Sequence, residues 1–253
     1  MKKRTVKMIA AAAVIGGIGG MIAYREKIME FLASLHSWQK EVDRIREKYS
    51  TDRKHEILFY GASNFAMWDQ MEEDMAEYKV QNHAFGGSMD TDLVKFADQI
   101  LYPYDPAVVF FQTGSNDYVM MKGTDEEKVA KCMAYKKQMF RTFHEKLPDA
   151  KFVIMSGLLL PGRTQFLDMT LRINRELKEL AETEEWLYYV DAEALTYDGK
   201  TLDKSLFRED MIHLNHEGEL RWYREYIEPQ IRELIEKYGL EGLRKCGDRE
   251  KQI

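Results

Sequence analysis

The chain has 253 residues, 45% of them hydrophobic, which is enough for one sizeable core and reads as one α/β domain of about 200 residues. Its formal charge of −6 is unevenly placed: Lys2, Lys3, Arg4, Lys7, Arg25 and Lys27 against Glu26 give the first 27 residues +5, leaving −11 on the rest. So acidic a body excludes the basic stripe that nucleic-acid binding requires.

In chain order, the basic cluster ending at Lys7 precedes an uncharged apolar run over residues 8–23, closed by Arg25. The run is longer than the about 7–15 residues of a signal core and shorter than the about 20 of a full span. It reads as an uncleaved membrane anchor (residues 1–24), with a secretory signal peptide as the alternative. Basic residues ahead of the run predict a single-pass protein with a cytoplasmic N-terminus, a bilayer contact through this segment and the body outside. Residues 25–52 are charged with helical spacing (Ile28, Phe31, Leu32, Leu35, Trp38, Val42, Ile45) and predict a helical stalk, which could instead pack on the body.

Beyond residue 53 apolar strands alternate with helical patterns. Strands are predicted over 57–60, 79–81, 107–112, 151–155 and 186–190, and helices over 65–78, 90–101, 125–147, 168–184 and 214–238. The run Ala107-Val108-Val109-Phe110-Phe111-Gln112 is continuous enough to be buried on both faces. This alternation predicts a parallel sheet covered on both sides, in a domain over 53–240 with a polar tail over 241–253. Cys132 in a helical pattern and Cys246 in the tail read as unpaired thiols, neither with metal-ligand spacing.

Four polar segments fall where such a sheet builds its site, beyond the carboxyl ends of the strands. Ser63, in Gly61-Ala62-Ser63-Asn64, follows the first strand, where a serine is either a helix cap or a nucleophile. Gly86 and Gly87, in the NHAFGGS segment, follow the second as a turn pair or as a bare backbone donor. Asn116, in Gly114-Ser115-Asn116-Asp117, follows the third as a turn residue or as an amide donor to an oxyanion, with Asp117 bracing the loop. Asp210 and His213 follow the fifth as an N-cap beside a surface histidine, or as a pair whose spacing lets the carboxylate reach Nδ1 and leaves Nε2 toward Ser63. Asn215 is the better cap for the last helix, which frees Asp210 from that task.

Together these segments resemble the four blocks of the SGNH (GDSL-like) hydrolases over about residues 55–235. GASN is similar to the first block, with Ala62 and Asn64 in place of the usual Asp and Leu. NHAFGGS is similar to the second, GSND to the third and DMIH to the last. The resemblance implies a flavodoxin-like three-layer α/β/α sandwich with a five-stranded parallel sheet in the order 2-1-3-4-5. It implies a serine esterase for acyl or O-acetyl esters, with Ser63, Asp210 and His213 as triad. It further implies an oxyanion hole of Ser63, Gly87 and Asn116, and no metal or cofactor.

The expected substrate is a small acyl ester or O-acetylated glycan. Arg163, after Pro161-Gly162, is a candidate substrate contact, and Trp68, Tyr118, Met120, Met121 and Leu158, Leu159 and Leu160 belong to packing or to the rim. Two other readings remain: a non-catalytic glycan- or protein-binding surface domain, and a metal-dependent phosphoesterase built on Asp117, Asp210, His213 and His216.

Overall fold

A computed structural model describes residues 38–113 and 115–245. The expected anchor over 1–24 and the part of the expected stalk over 25–37 lie outside the described residues. Among the described residues no helix is long and apolar enough to cross a membrane.

Five parallel strands form one sheet: β1 (Ile57–Gly61), β2 (Val80–Asn82), β3 (Val108–Gln112), β4 (Lys151–Met155) and β5 (Leu187–Val190), in the order β2-β1-β3-β4-β5. The order is the one expected, and each strand lies within a residue of its expected bounds. The central pair β1 and β3 runs in register from Ile57 opposite Val108 to Gly61 opposite Gln112. Both strands are buried along their whole length, as their unbroken apolar runs require.

Alternate side chains supply two cores. Phe59 and Phe110 stack on one face, where Phe65, Trp68 and Trp222 continue the layer. Phe111 packs on Phe140 and Phe143 on the other. Those two phenylalanines lie on the helix Asp125–Lys146, which Thr124 and Glu127 start with a capping box. The helix Asp90–Ile100 covers the same side of the fold through the Phe85–Phe96 contact.

Three expected helices change. Residues 65–78 form two short helices, Ser63–Ala66 and Met71–Asp74, instead of one. The break has a tertiary cause. The Met67 carbonyl accepts from Arg208 Nη2 at 2.7 Å, and the Met71 N–H turns to the Trp68 carbonyl instead. The helix expected over 214–238 runs as His216–Trp222, a π-turn at Tyr223–Ile227, and Glu228–Tyr238. Pro229 lacks the N–H that an unbroken α-helix needs there, and the wider turn absorbs the loss. The helix expected to reach residue 184 is Leu167–Ala181, with Thr183 Oγ1 donating to the Leu180 carbonyl.

Of the region ahead of the sheet, Gln39–Lys48 is a helix lying on the body. Val42 is fully buried, Gln39 bonds Gln99, and the Tyr49 hydroxyl donates to Glu72 at 2.7 Å while accepting from the Asn82 N–H.

Candidate active site

The site begins with a close approach of backbone. A Cβ on Gly61 would lie 2.2 Å from the Gln112 carbonyl oxygen, so β1 and β3 meet this closely only at a glycine. The Ala62 N–H donates to that same oxygen at 3.0 Å, and the chain then turns into the helix that starts at Ser63. The first N–H groups of a helix have no intrahelical acceptor, and the Ser63 amide is one of them.

His213 reaches Ser63 from 150 positions further along the chain: Nε2 lies 2.8 Å from Ser63 Oγ, and Nδ1 lies 2.6 Å from Asp210 Oδ2. The carboxylate can only accept, so Nδ1 carries the proton and Nε2 of the neutral ring is the acceptor for the serine hydroxyl. Met211 takes a left-handed φ of 59°, which folds the chain so that Asp210 Oδ1 accepts the N–H groups of Ile212 (2.9 Å) and His213 (3.0 Å). Partial burial opposes the charge on Asp210, but the His213 ring and these two amides outweigh it and hold the carboxyl down to about 2. The Asp210 side chain is 43% exposed, so the turn's geometry matters more than its electrostatics.

The two loops expected to hold an oxyanion are tied to the Gly61–Ser63 turn and to each other. A Cβ on Gly86 would stand 3.8 Å from Ser63 Cβ, and Gly87 adopts a φ of 80° in the exposed part of the same turn. Ser88 Oγ donates to the Gly61 carbonyl at 3.1 Å, and the Ser88 carbonyl accepts from Asn116 Nδ2 at 3.0 Å. Asn116 Oδ1 accepts from both Arg163 Nη atoms at 3.3 and 3.4 Å, and Arg163 Nη1 also donates to Ser115 Oγ at 2.9 Å. A guanidinium only donates and a carbonyl only accepts, so these partners fix which way the Asn116 amide faces.

The model of the GDSL-like Lipase/Acylhydrolase family matches residues 51–221. The chain belongs to that family. It is an ester-bond hydrolase with the α/β fold of its class. Comparison with curated protein sequences gave no match. Among solved structures, a Streptococcus pneumonia protein named for platelet activating factor is similar at 17% identity and a TM-score of 0.66, covering 81% of this chain and 98% of its own. A Bacteroides fragilis protein named as an acylhydrolase is similar at 17% identity and a TM-score of 0.63, with 81% and 99% covered. The acetylxylan esterase Axe2 of Geobacillus stearothermophilus is similar at 17% identity and a TM-score of 0.51, with 76% and 98% covered. At such identities these likenesses speak for the fold.

Several bonds that hold this hydrolase's site together are not visible in the four segments. Asn64 is buried, and its Oδ1 accepts the Leu214 N–H at 3.4 Å, so the residue beside Ser63 meets the residue beside His213. Asn82 Nδ2 donates to the Phe65 carbonyl at 2.7 Å, joining the second segment to the first helix. Arg208 links the most elements. Its N–H donates to the His213 carbonyl at 2.8 Å, its Nε to the Leu214 carbonyl at 2.9 Å, and its Nη2 to both the Met67 carbonyl and buried Glu219. Only its place in Phe207-Arg208-Glu209-Asp210 hinted at this.

Other residues singled out in the sequence lie elsewhere. Asp117 is buried and accepts the Asp90 N–H, while the His216 ring faces Asp74 and Glu219. Neither joins Asp210 and His213, and among the described residues no three acidic, histidine or cysteine side chains converge as a metal site. Asn215 caps the helix His216–Trp222 by accepting the Gly218 N–H at 3.0 Å. Trp68, Tyr118 and Leu158, Leu159 and Leu160 are buried as packing residues, with Trp68 donating to Asp74 and Tyr118 bonding Thr170. Cys132 is a buried free thiol that burial pushes up to about 12, out of reach of ordinary thiolate chemistry.

Proposed function

We propose that this hydrolase cleaves carboxylic esters, acyl or O-acetyl, through a covalent acyl-enzyme on Ser63. The observation that carries the reading is the unbroken line from Asp210 through both ring nitrogens of His213 to Ser63 Oγ, with steps of 2.6 and 2.8 Å. Ser63 Oγ attacks the ester carbonyl carbon as its proton passes to His213 Nε2, and the charged carboxylate of Asp210 stabilises the imidazolium that forms. The carbonyl oxygen becomes an oxyanion, held by the N–H groups of Ser63 and Gly87 and by the Asn116 amide. That amide has a second N–H beyond the one given to Ser88.

The intermediate then collapses. The alcohol leaves with the proton from His213, and the acyl group stays on Ser63. A water gives its proton to Nε2 and attacks the acyl carbon; a second collapse releases the acid and returns the proton to Ser63. No step needs a metal or a cofactor.

The proposed substrate is a small acyl ester, with an O-acetyl group on cell-envelope or environmental glycan first and a lysophospholipid as the runner-up. The similarly folded acetylxylan esterase is named for such an acetyl ester. The basic cluster and apolar run at the start of the chain support an enzyme held at the membrane with its catalytic domain outside. Hydrolysis of p-nitrophenyl acetate by the full chain tests the chemistry: Ser63→Ala and His213→Ala each abolish it, and an active Ser63→Ala variant excludes the mechanism. A chain-length series of esters and a screen for acetate release from acetylated glycans test the substrate.

A further inference from the structure

Lys136 is a lysine on the apolar stripe of the helix Asp125–Lys146, among Cys132, Met133, Met139 and Phe140, and its side chain is 1% exposed. A lysine is seldom found so deep without a paired charge. Its Nζ donates to Asp90 Oδ2 at 2.8 Å and to Thr113 Oγ1 at 2.6 Å. Asp117 comes to the same place and accepts the Asp90 N–H through both carboxylate oxygens, at 3.1 and 3.4 Å. Asp90 Oδ1 is buried there with no partner among the described residues.

The residues around Lys136 each lie at the root of a loop expected to hold the oxyanion. Asp90 begins the helix just after Gly87 and Ser88, Thr113 ends the run from β3 into the third segment, and Asp117 follows Asn116 directly. A hydrogen bond also runs between the loops themselves, from Asn116 Nδ2 to the Ser88 carbonyl. The charges also balance in an unusual way. Burial, and then the charge of Asp90, push the Asp117 carboxyl up to about 7 against the pull of Lys136. Burial works against the charge on Lys136, but Asp90 and Asp117 outweigh it and keep the ammonium protonated. One cation therefore serves two carboxyls, one of which keeps its proton into the neutral range.

We infer that Lys136 is a positioning residue for ester hydrolysis. It holds the Gly87 and Asn116 loops in one register through Asp90 and Thr113, so that both loops present their donors to the same oxygen. The inference rests on the esterase reading and adds to it the element that aligns the oxyanion donors. Preorganised donors act on charge that exists only in the transition state, so a loosened register lowers kcat and leaves substrate binding nearly unchanged.

The test uses the full chain and p-nitrophenyl acetate, with Ser63→Ala as the control for the esterase reading. Thr113→Val removes only the Lys136–Thr113 bond, and kcat should fall about 5- to 20-fold with KM within about threefold, a fraction of the about 10²–10³ lost with a whole oxyanion donor. Lys136→Met combined with Asp90→Asn removes the tie together with both charges of the Lys136–Asp90 pair. Its melting temperature should stay close to that of the wild type while kcat falls about 30- to 100-fold. A folded Thr113→Val enzyme with wild-type kcat overturns the inference, whether or not the double variant folds. So does a double variant with restored kcat, which would leave Lys136 only a charge-balancing role. A rise in KM at constant kcat also overturns it. A wild-type enzyme without Ser63-dependent hydrolysis overturns the esterase reading and this inference with it.

Discussion

Gly162 is far from Ser63 in sequence, yet it controls how the Asp210–His213 turn sits. The Gly162 N–H donates to the Met211 carbonyl at 2.7 Å, so the two segments cannot part without losing that bond. A Cβ at this position would stand 2.9 Å from the Met211 oxygen, 3.0 Å from the Asp210 oxygen and 2.9 Å from Ile212 Cγ1. Ordinary contact begins at 3.4 Å, so Gly162→Ala drives the turn back by about 0.4–0.5 Å, the difference between 3.4 and the 2.9–3.0 Å available. His213 rides on that turn, and its 2.8 Å bond to Ser63 lengthens by a similar amount. A misplacement of about 1 Å can cost about 10²-fold in rate, so half of that costs about tenfold in kcat. The overpacking itself costs about 1–3 kcal/mol of stability. Gly242→Ala is the matched control, because a Cβ there meets nothing within 4 Å. Steady-state hydrolysis of p-nitrophenyl acetate and thermal melts of both variants decide the matter. A folded Gly162→Ala enzyme with wild-type kcat would refute the claim that this contact sets the position of His213.

Asp117→Asn reports on the buried cluster through pH. The native carboxyl is raised from 3.8 to about 7, so the folded chain holds a proton that the unfolded chain releases, and this group's contribution to stability declines as pH rises from about 4 to about 7. The melting temperature of Asp117→Asn minus that of the wild type should therefore increase across that window, and a difference constant with pH would contradict the assignment. Arg208→Met cuts the tie between the Ser63 helix and the His213 turn and leaves buried Glu219 without its cation. Stability should fall by about 3 kcal/mol in a denaturant titration. Adding Glu219→Gln should recover much of that stability but not the lost kcat; recovery of both would show that Arg208 balances charge and does not align the site. Asn116→Ala should lower kcat about 10²- to 10³-fold with little change in KM, and an effect confined to KM would remove Asn116 from the oxyanion.

The sheet was legible because its strands are strongly patterned. The apolar run of β3 read as a doubly buried strand and the alternation of strands and helices around it as a parallel sheet, while the order of the strands came from the resemblance to the SGNH hydrolases. The Asp210–His213 spacing also carried its geometry, since three residues around one turn allow the carboxylate to reach both the ring and the backbone of His213. Tertiary bonds were harder to read. The helix expected over 65–78 breaks because Arg208, 141 positions away, takes the Met67 carbonyl, and local propensity holds no trace of that. Asn64 looked like a departure from a motif until its bond to the Leu214 N–H gave it a partner. Lys136 did leave a signal: a lysine on a stripe with Cys132, Met133, Met139 and Phe140 requires a buried acid, though not a particular one.

The central claim, that Ser63 is the nucleophile of an acyl-transfer site, is tested most directly by reaction of the full chain with a fluorophosphonate, followed by mass mapping of the adduct. The account predicts one adduct, on the peptide containing Ser63, absent from Ser63→Ala and much slower to form in His213→Ala. An adduct on any other residue, or no adduct on a folded chain that hydrolyses p-nitrophenyl acetate, would contradict it.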